Sequence, residues 1–462
     1  MNIILLIFGL IFSLLFLLQW KKQEYRPSII LISRVFIALI FIYSGFVKAV
    51  DPLGYTYKII DYFVAFGFPP LENLSFILAI FFSSAEFFLG FGLLIGVFSR
   101  LNLFLVSLFM LVFTPLTLFL AISNPVTDCG CFGDALVITN WQTFFKNLII
   151  DIPVLILLIN RTILKDKVQL HKAFLIGSIG LFGIISVSIF SYQHLPILDF
   201  RPYKIGNNIS EGMLIPEGEK SDSYQSTFIY KNTKTKELVE FAEDKLDEPL
   251  SDENLWIFVD TKTVLIEKGY HPPIHDFNIV SPEYGDITEQ VLNDTNLTFI
   301  LVSYRLNSTN FNAFIDFEKM ANEYPNINFM VLTAALDKDI IKFKDSLTHS
   351  LSYDTTLIKI VNSETIYLYE YEDNIVEFTE EELPEDLNNS YIYLGKDIIE
   401  EEKEIPKELS YNFFICDPTT LKTVIRANPG LVLLKNGTIL NKWHYHDFPS
   451  KKDLRKIIEQ FK

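Results

Sequence analysis

The sequence predicts a membrane α-helical bundle followed by a soluble α/β domain. Six apolar stretches, each near the length of a membrane span, fall within residues 1–193. Residues 1–193 carry 12 Lys and Arg against 9 Asp and Glu, whereas residues 194–462 carry 27 against 47. A chain with 50% hydrophobic and 21% charged residues is neither disordered nor collagen-like. We therefore expect one chain in two media, with residues 1–193 in the membrane and the acidic remainder in water.

The six apolar stretches are predicted to be transmembrane helices, since a span needs about 20 apolar residues. The first has no positive segment before it and no small-residue cleavage site, so we expect an anchor and not a removable signal peptide. Asp151 and Pro153 interrupt the fifth, which a helix buried among its neighbours can tolerate. The predicted spans are residues 2–18, 29–50, 73–97, 101–122, 144–160 and 172–192.

The basic residues predict the orientation of the bundle. Lys and Arg concentrate in the first, third and fifth loops, whereas the fourth loop, residues 123–143, has none. Basic loops face the cytoplasm, so the fourth loop and everything after Gln193 are predicted to lie outside. We expect a multi-pass protein of a bacterial inner membrane with its C-terminal domain in the periplasm.

The fourth loop holds two of the three cysteines, Cys129 and Cys131, separated by Gly130. Thiols outside the cytoplasm tend to oxidise, and a bridge across one residue is of the strained, labile kind that takes part in redox chemistry. The alternatives are a static clip, which removes little chain entropy, or half of a metal site, for which the loop offers no further Cys or His. We predict a redox pair and no metal.

Glu86 lies in the middle of the third predicted span, where a charged side chain is costly and suggests function. It is a candidate proton acceptor or hydrogen-bond partner of a quinone. The alternatives are an ion pair with Arg34 inside the bundle, or a carboxyl group that desolvation keeps protonated.

Three segments carry a resemblance to a known family. Cys129 to Gly133 reads Cys-Gly-Cys-Phe-Gly, and residues 34–48 and 86–100 are similar to the first two helices of DoxX proteins. Over about residues 29–160 the chain resembles the DoxX/MauE group of small redox-associated membrane proteins, and as a whole the long DoxX-type proteins of Bacteroidetes. The resemblance implies a four-helix core that handles thiol or quinone redox chemistry, with quinone as a candidate cofactor.

The second part of the chain divides at about residue 270. Residues 194–270 predict a polar linker with short β elements, and residues 271–462 alternate strands with helices, which is typical of an α/β domain. Between about 334 and 410 lies an acidic insertion, including Glu377–Asp386 and Glu400–Glu404, which we interpret as a solvated face. The predicted strands are 276–279, 297–303, 328–333, 411–415, 431–435 and 438–443, and the predicted helices are 312–322, 419–426 and 450–461.

This order of elements is similar to the thioredoxin fold from about residue 272 onwards. Residues 428–437 resemble the cis-proline strand and the following turn of thioredoxins, which makes Pro429 the candidate cis-proline. The family's Cys-x-x-Cys belongs at residues 303–307, where the sequence is Ser-Tyr-Arg-Leu-Asn. We therefore expect no dithiol exchange from this domain alone.

Cys416 is the third cysteine and ends a predicted strand. Most free cysteines are buried small hydrophobic residues, and the strand-end position favours that role. An unpaired thiol in an oxidising compartment is also a candidate resolving thiol for Cys129 and Cys131.

These features predict a membrane redox protein that exchanges electrons between Cys129–Cys131 and a periplasmic thiol protein or quinone. The dithiol-less domain would serve as the client-binding module. The alternative is a non-catalytic scaffold of an envelope complex, and a proton-coupled transporter comes third because no inverted repeat is evident. The acidic surface offers no basic stripe for nucleic acid.

Overall fold

The computed structural model describes most of the chain. The described residues are 2–126, 128–247, 251, 254–267, 269–352, 358–371, 374–379, 392–405 and 409–461.

Among the described residues, six helices are long and apolar enough to cross a membrane, which confirms the predicted spans. The predicted bounds shift by a few residues, most of all at the start of the fifth span, which begins at Asn140 and not at residue 144. The spans are α1 (Asn2–Lys21), α2 (Arg26–Val50), α4 (Ser75–Ile95), α5 (Ser99–Ser123), α6 (Asn140–Ile159) and α7 (Leu170–Gln193).

A further helix, α3 (Pro52–Ala65), follows α2 after a single residue. Asp51 caps it, because its carboxylate accepts the Gly54 N–H at 2.9 Å. With only 14 residues it is shorter than a span. The sequence pattern was interpreted as a loop here, so α3 is an addition to the predicted architecture.

The interrupted fifth span is a continuous helix. Pro153 lies inside α6 and is buried, and the Asp151 carboxylate accepts the Thr114 hydroxyl of α5 at 3.0 Å. Thr139 and Gln142 form a capping box at the start of α6, satisfying two backbone N–H groups reciprocally. Neighbouring helices thus compensate the polar interruptions, as the sequence predicted.

Two glycines bring α2 and α4 together. A Cβ at Gly45 would lie 2.4 Å from the Phe87 nitrogen, and one at Gly90 would lie 2.6 Å from the Ala38 carbonyl oxygen. Small residues let helix backbones approach closely in a membrane. This contact fixes which residues of the two helices face each other.

Replacing Gly45 with valine should separate α2 from α4, because its side chain would meet backbone atoms that cannot rotate away. We expect a loss of about 1–3 kcal/mol or more, measured as a lower midpoint of thermal unfolding in detergent. Gly183→Val is the matched control, since nothing lies within 4 Å of a Cβ built there. Equal midpoints for the two variants would contradict the close packing.

Residues 194–270 contain a three-stranded antiparallel sheet, with strand order β2–β1–β3. Its register places Phe228 opposite Phe241 on one side and opposite Thr261 on the other. The short β elements expected in the linker thus form one small sheet. The elements are α8 (Ile209–Met213), β1 (Ser223–Asn232), β2 (Leu238–Ala242) and β3 (Trp256–Glu267).

Residues 271–461, called the α/β domain below, contain a seven-stranded mixed sheet of order β13–β12–β6–β7–β11–β4–β5. The strand β6, third in this order, pairs in parallel with β7 and antiparallel with β12. Two hydrophobic clusters cover its two faces, one around Ile300 and Val432 and the other around Phe299 and Phe317. The strands are β4 (Val280–Ser281), β5 (Gly285–Asp286), β6 (Thr298–Ser303), β7 (Asn328–Thr333), β11 (Asn412–Ile415), β12 (Gly430–Lys435) and β13 (Thr438–His444).

The helices of the α/β domain include those that the sequence predicts, with small shifts at their ends. One predicted strand is wrong, because residues 276–279 are irregular and the strand begins only at Val280. The helices are α9 (Thr288–Leu292), α10 (Phe311–Glu323), α11 (Asp337–Ser352), α12 (Pro418–Val424) and α13 (Lys451–Phe461).

The acidic insertion contains α11 and a second three-stranded sheet of order β10–β8–β9. These strands are β8 (Ile358–Tyr371), β9 (Asn374–Thr379) and β10 (Ile392–Ile405). Within the predicted acidic run 377–386, residues 380–386 lie outside the described residues.

Candidate functional site

Cys129 and Cys131 lie in the loop between α5 and α6, residues 124–139, called the cysteine loop below. Their sulfur atoms are in contact and their Cα atoms are 5.4 Å apart, within the range that a disulfide requires. Gly130 between them has φ +63°, a conformation that glycine adopts without strain. A Cβ at this position would also lie 2.9 Å from the Lys58 Cγ. Both the backbone conformation and the close approach of Lys58 therefore favour glycine here.

Side chains of α2 and α3 hold the cysteine loop against the bundle. The Tyr62 hydroxyl donates to the Cys129 carbonyl at 2.8 Å, and the Ser44 hydroxyl lies 2.8 Å from the Cys131 carbonyl. Lys58 pairs with Asp128 at 2.7 Å. The backbone of both cysteines is therefore fixed by residues distant in sequence.

Directly below the loop, Glu86 forms a buried ion pair. Its two carboxylate oxygens lie 2.7 and 2.8 Å from the Lys48 Nζ, and Lys48 and Glu86 are 5% and 4% exposed. The Ser44 hydroxyl lies 2.7 Å from the same carboxylate, which connects the pair to the cysteine loop. An acid and a base thus meet inside the bundle beside the two sulfur atoms.

Glu86 pairs with Lys48 and not with Arg34, which was one of the alternatives for its partner. Arg34 donates to the backbone carbonyls of Leu93 and Leu94 near the other end of α4. Arg34 lies 14 residues before Lys48 on α2, which is about 21 Å along the helix. Arg34 is therefore too far from Lys48 to reach Glu86.

A cavity of about 70 Å³ lies between the cysteine loop and this ion pair. Its volume suits a few water molecules and is well below the roughly 300 Å³ of typical small-molecule sites. Polar groups from every surrounding element face it, and aromatic and aliphatic side chains of α2, α5 and α6 close the remainder. The polar lining residues are Ser44, Lys48, Tyr55, Tyr62, Glu86, Thr117, Cys129, Cys131, Lys146 and Asn147.

The α/β domain covers the cysteine loop from the other side. Arg426, which is 4% exposed, pairs with Asp51 at 2.8 Å and with Asp134 at 2.7 Å. Burial acts to lower the pKa of Arg426, but the two carboxylates outweigh it and hold that pKa above its usual value. One guanidinium therefore joins the domain to the start of α3 and to the cysteine loop.

Both carboxylates that flank the cysteines are thus paired with cations. The charges of Asp128 and Asp134 alone would be expected to raise the thiol pKa values. Lys58 and Arg426 offset that effect, and both belong to elements outside the loop. The two aspartates therefore disfavour a thiolate at the cysteines less than the loop sequence alone suggests.

Residues at the predicted position of the missing Cys-x-x-Cys face α3. The Tyr304 hydroxyl lies 3.0 Å from the Tyr57 hydroxyl, and the Ser303 hydroxyl bonds the Asn428 side chain at 3.0 Å. The peptide bond between Asn428 and Pro429 is cis, as the sequence motif predicts. This edge of the domain points at the membrane bundle.

Cys416 is a free, buried cysteine in the hydrophobic core of the α/β domain, 3% exposed. Burial raises the pKa of its thiol to about 11. Its surroundings favour the core role, and its part as a resolving thiol stays a prediction.

Sequence reasoning missed several polar residues of this site, among them Lys48, Tyr62, Lys146 and Arg426. Lys48 lies near the end of the second predicted span, and its spacing of four residues from Ser44 places both on one helical face. Lys146 was the one basic residue of the fifth predicted span and could have been flagged, as Glu86 was. No local pattern indicates the distant partners of Arg426.

Among the residues that the structure describes, no cluster of three or more His, Cys, Asp or Glu could hold a metal ion.

These features define a polytopic membrane protein whose helical bundle carries a cysteine pair and is followed by an α/β region. Residues 26–160 match the family model described as methylamine utilisation protein MauE, so this part of the bundle is similar to that family. The match runs from the first residue of α2 to the residue after α6. Residues 224–268, which include β2, β3 and all of β1 but its first residue, match a domain of unknown function. No curated protein and no solved structure matches the chain.

Proposed function

We propose that this protein exchanges electrons between a Cys129–Cys131 disulfide/dithiol couple and a thiol protein at the outer membrane face. The observation that carries the proposal is the contact between the two sulfur atoms above a buried acid–base pair. A bridge across one residue is readily reduced, and the similarity to the MauE family suits a redox-associated role.

The ion pair below the loop supports a supply of protons. Reduction of a disulfide to a dithiol takes up two electrons and two protons. Ser44 contacts both the Glu86 carboxylate and the Cys131 carbonyl, and Lys48 lies within 3.2 Å of the same hydroxyl. We assign to Lys48 and Glu86 the exchange of protons with the thiols through the cavity.

A thiol partner accounts for this site better than a quinone. The cavity beside the sulfur atoms, about 70 Å³, is small for a ring and its substituents. A thiol protein exchanges electrons by contact with one sulfur atom and needs no pocket of its own. The basic residues in the odd loops support placing this exchange in the periplasm of a bacterial inner-membrane protein.

We assign to the α/β domain the task of holding the cysteine loop and presenting clients to it. Its strand order and the cis Asn428–Pro429 peptide support the thioredoxin-like assignment. Arg426 and Tyr304 turn its edge toward the loop and α3. Without a dithiol of its own, the domain contributes binding and the bundle contributes chemistry.

The test is differential alkylation of intact cells before and after reductant. We expect Cys129 and Cys131 to be protected at first and modified after mild reduction, and the Cys129→Ser/Cys131→Ser variant to lose the dependent phenotype. Cys416→Ser is the matched control and should behave as the parent, because its thiol is buried. A pair that no reductant opens, or a double variant without effect, would refute the proposal.

The scaffold alternative rests on the missing Cys-x-x-Cys and on the contacts between the α/β domain and the bundle. It predicts a stoichiometric partner that co-purifies with the Cys129→Ser/Cys131→Ser variant as well as with the parent protein. Loss of that partner in the double variant would favour the redox function.

A further inference from the structure

The two sulfur atoms of the cysteine loop have different surroundings. Cys129 is buried, with 7% of its surface exposed, whereas Cys131 is partly exposed. An incoming thiol therefore reaches Cys131 more easily than Cys129.

The buried sulfur atom lies next to two hydrogen-bonding groups. The Cys131 N–H donates to the Cys129 Sγ at 3.3 Å. The Thr143 hydroxyl lies 3.2 Å from the same atom and 3.0 Å from the Thr139 carbonyl, which is its other acceptor. Donors that point at a sulfur atom favour its thiolate form. The surroundings of Cys129 thus suit an anion.

Lys146 places an amine on the same side. It lies three residues after Thr143 on α6, so both side chains project from one helical face. Its Nζ is 4.7 Å from the centre of the Phe132 ring, next to Cys131 in sequence, and it lines the cavity with both cysteines.

The other charges beside the cavity leave room for an anion on Cys129. Lys48 and Glu86 neutralise each other, and Lys146, when protonated, balances one thiolate. The titratable and charged groups that face the two cysteines are Lys48 from α2, Tyr55, Lys58 and Tyr62 from α3, Glu86 from α4 and Lys146 from α6, with Asp128 in the loop itself.

We propose that a partner thiolate attacks the sulfur of Cys131 and that Cys129 leaves as a thiolate stabilised by Thr143 and Lys146. The proposal rests on the thiol exchange proposed above and assigns the two cysteines different roles. A bond forms between the partner sulfur and the Cys131 Sγ, the bond between Cys129 and Cys131 breaks, and its electron pair stays on Cys129.

The second half of the exchange completes the balance. A second thiol of the partner attacks the partner's sulfur in the mixed disulfide and releases Cys131, so the partner becomes a disulfide. The couple has then gained two electrons, and the protons of the partner thiols end on Cys131 or in the cavity. Because a better leaving thiolate speeds exchange, Thr143 and Lys146 act as positioning residues for Cys129.

The test begins with mapping of the mixed disulfide. The oxidised full-length protein in lipid nanodiscs is treated with reduced glutathione, quenched with acid, alkylated and digested for mass spectrometry. We expect the glutathione adduct on Cys131. An adduct mainly on Cys129, or equally on both, overturns the role assignment while leaving thiol exchange itself intact. A pair that glutathione and stronger reductants never open refutes the proposed function instead.

The positioning role is tested on the thiolate itself. In the Cys131→Ser background, the pH dependence of iodoacetamide alkylation reports the thiolate fraction of Cys129. Lys146→Met should lower that fraction at neutral pH up to roughly tenfold, and Thr143→Val should lower it by less. Lys146→Arg should restore the parent value, and Lys172→Met is the matched control on an exposed helix start. An unchanged alkylation profile in Lys146→Met contradicts the proposal.

Discussion

Replacing Arg426 with methionine is expected to release the α/β domain from the cysteine loop. Its guanidinium is 4% exposed and bonds carboxylates of the α2–α3 junction and of the loop, at 2.8 and 2.7 Å. Removing one partner of a buried ion pair costs on the order of 3–5 kcal/mol, because the remaining charges stay desolvated. Asp51 is the more buried of the two carboxylates and should account for the larger share.

The loss can be measured in two ways on the full-length protein. Limited proteolysis between residues 194 and 208 should become faster, and after reduction Cys129 should be alkylated faster than in the parent. Arg455→Met, on the exposed face of α13, is the matched control. Equal proteolysis of the two variants would show that Arg426 does not hold the domain in place.

A double-mutant cycle separates the ion pairs from lost packing. Arg426 also stacks over the Tyr57 ring, with its guanidinium carbon 5.5 Å from the ring centre. If charge pairing dominates, Arg426→Met should cost much less in an Asp51→Asn/Asp134→Asn background than in the parent. Arg426→Lys should rescue only in part, since an ammonium cannot bond two carboxylates with a planar fork.

The membrane part of the fold could be predicted because its cause is local. A span needs about 20 apolar residues, and each of the six can be recognised from its composition. The helix α3 could not be predicted this way, because it is short and mixes polar with apolar residues. This helix matters for the tertiary structure. Its Tyr57 contacts the α/β domain, and its Lys58 and Tyr62 contact the cysteine loop.

The α/β domain was predicted best where strands are fully buried. Every residue of β6 is buried, so its continuous apolar run is a strong signal. Residues 276–279 also contain apolar side chains, but Phe277 and Ile279 pack into the core without strand pairing there. Burial and strand pairing are separate properties, and the short pattern could not distinguish them.

The site was predicted in its parts but not in its pairing. The cysteines and Glu86 stand out because each is unusual where it lies. The partner of Glu86 depends on the register of α2 against α4, which Gly45 and Gly90 set by close backbone contact. Arg426 meets its carboxylates only after the whole domain has folded and docked. Such long-range contacts leave no periodic trace in one sequence.

Breaking the Lys48–Glu86 pair is the second change with a large expected effect. Lys48→Met leaves the Glu86 carboxylate buried with the Ser44 hydroxyl and without its cation. Glu86→Gln leaves the Lys48 ammonium buried in the same way. Each single change should destabilise the bundle by on the order of 3–5 kcal/mol, measured by thermal unfolding in detergent with Lys172→Met as control.

The double variant Lys48→Met/Glu86→Met should behave differently from either single variant. Replacing both members of a buried ion pair with apolar side chains is often neutral or even stabilising, so its unfolding midpoint should return toward that of the parent. Losses that simply add in the double variant would show that the two charges do not interact.

The same double variant tells whether the pair is kept for stability or for chemistry. A bundle that gained nothing from the pair could have replaced it with apolar residues at no cost in folding. If the double variant is as stable as the parent but its cysteines exchange with glutathione more slowly, the acid and base serve proton transfer at the cysteine loop. If exchange is unchanged, the pair takes no part in proton transfer, and the protons must come from the water-exposed side of the loop.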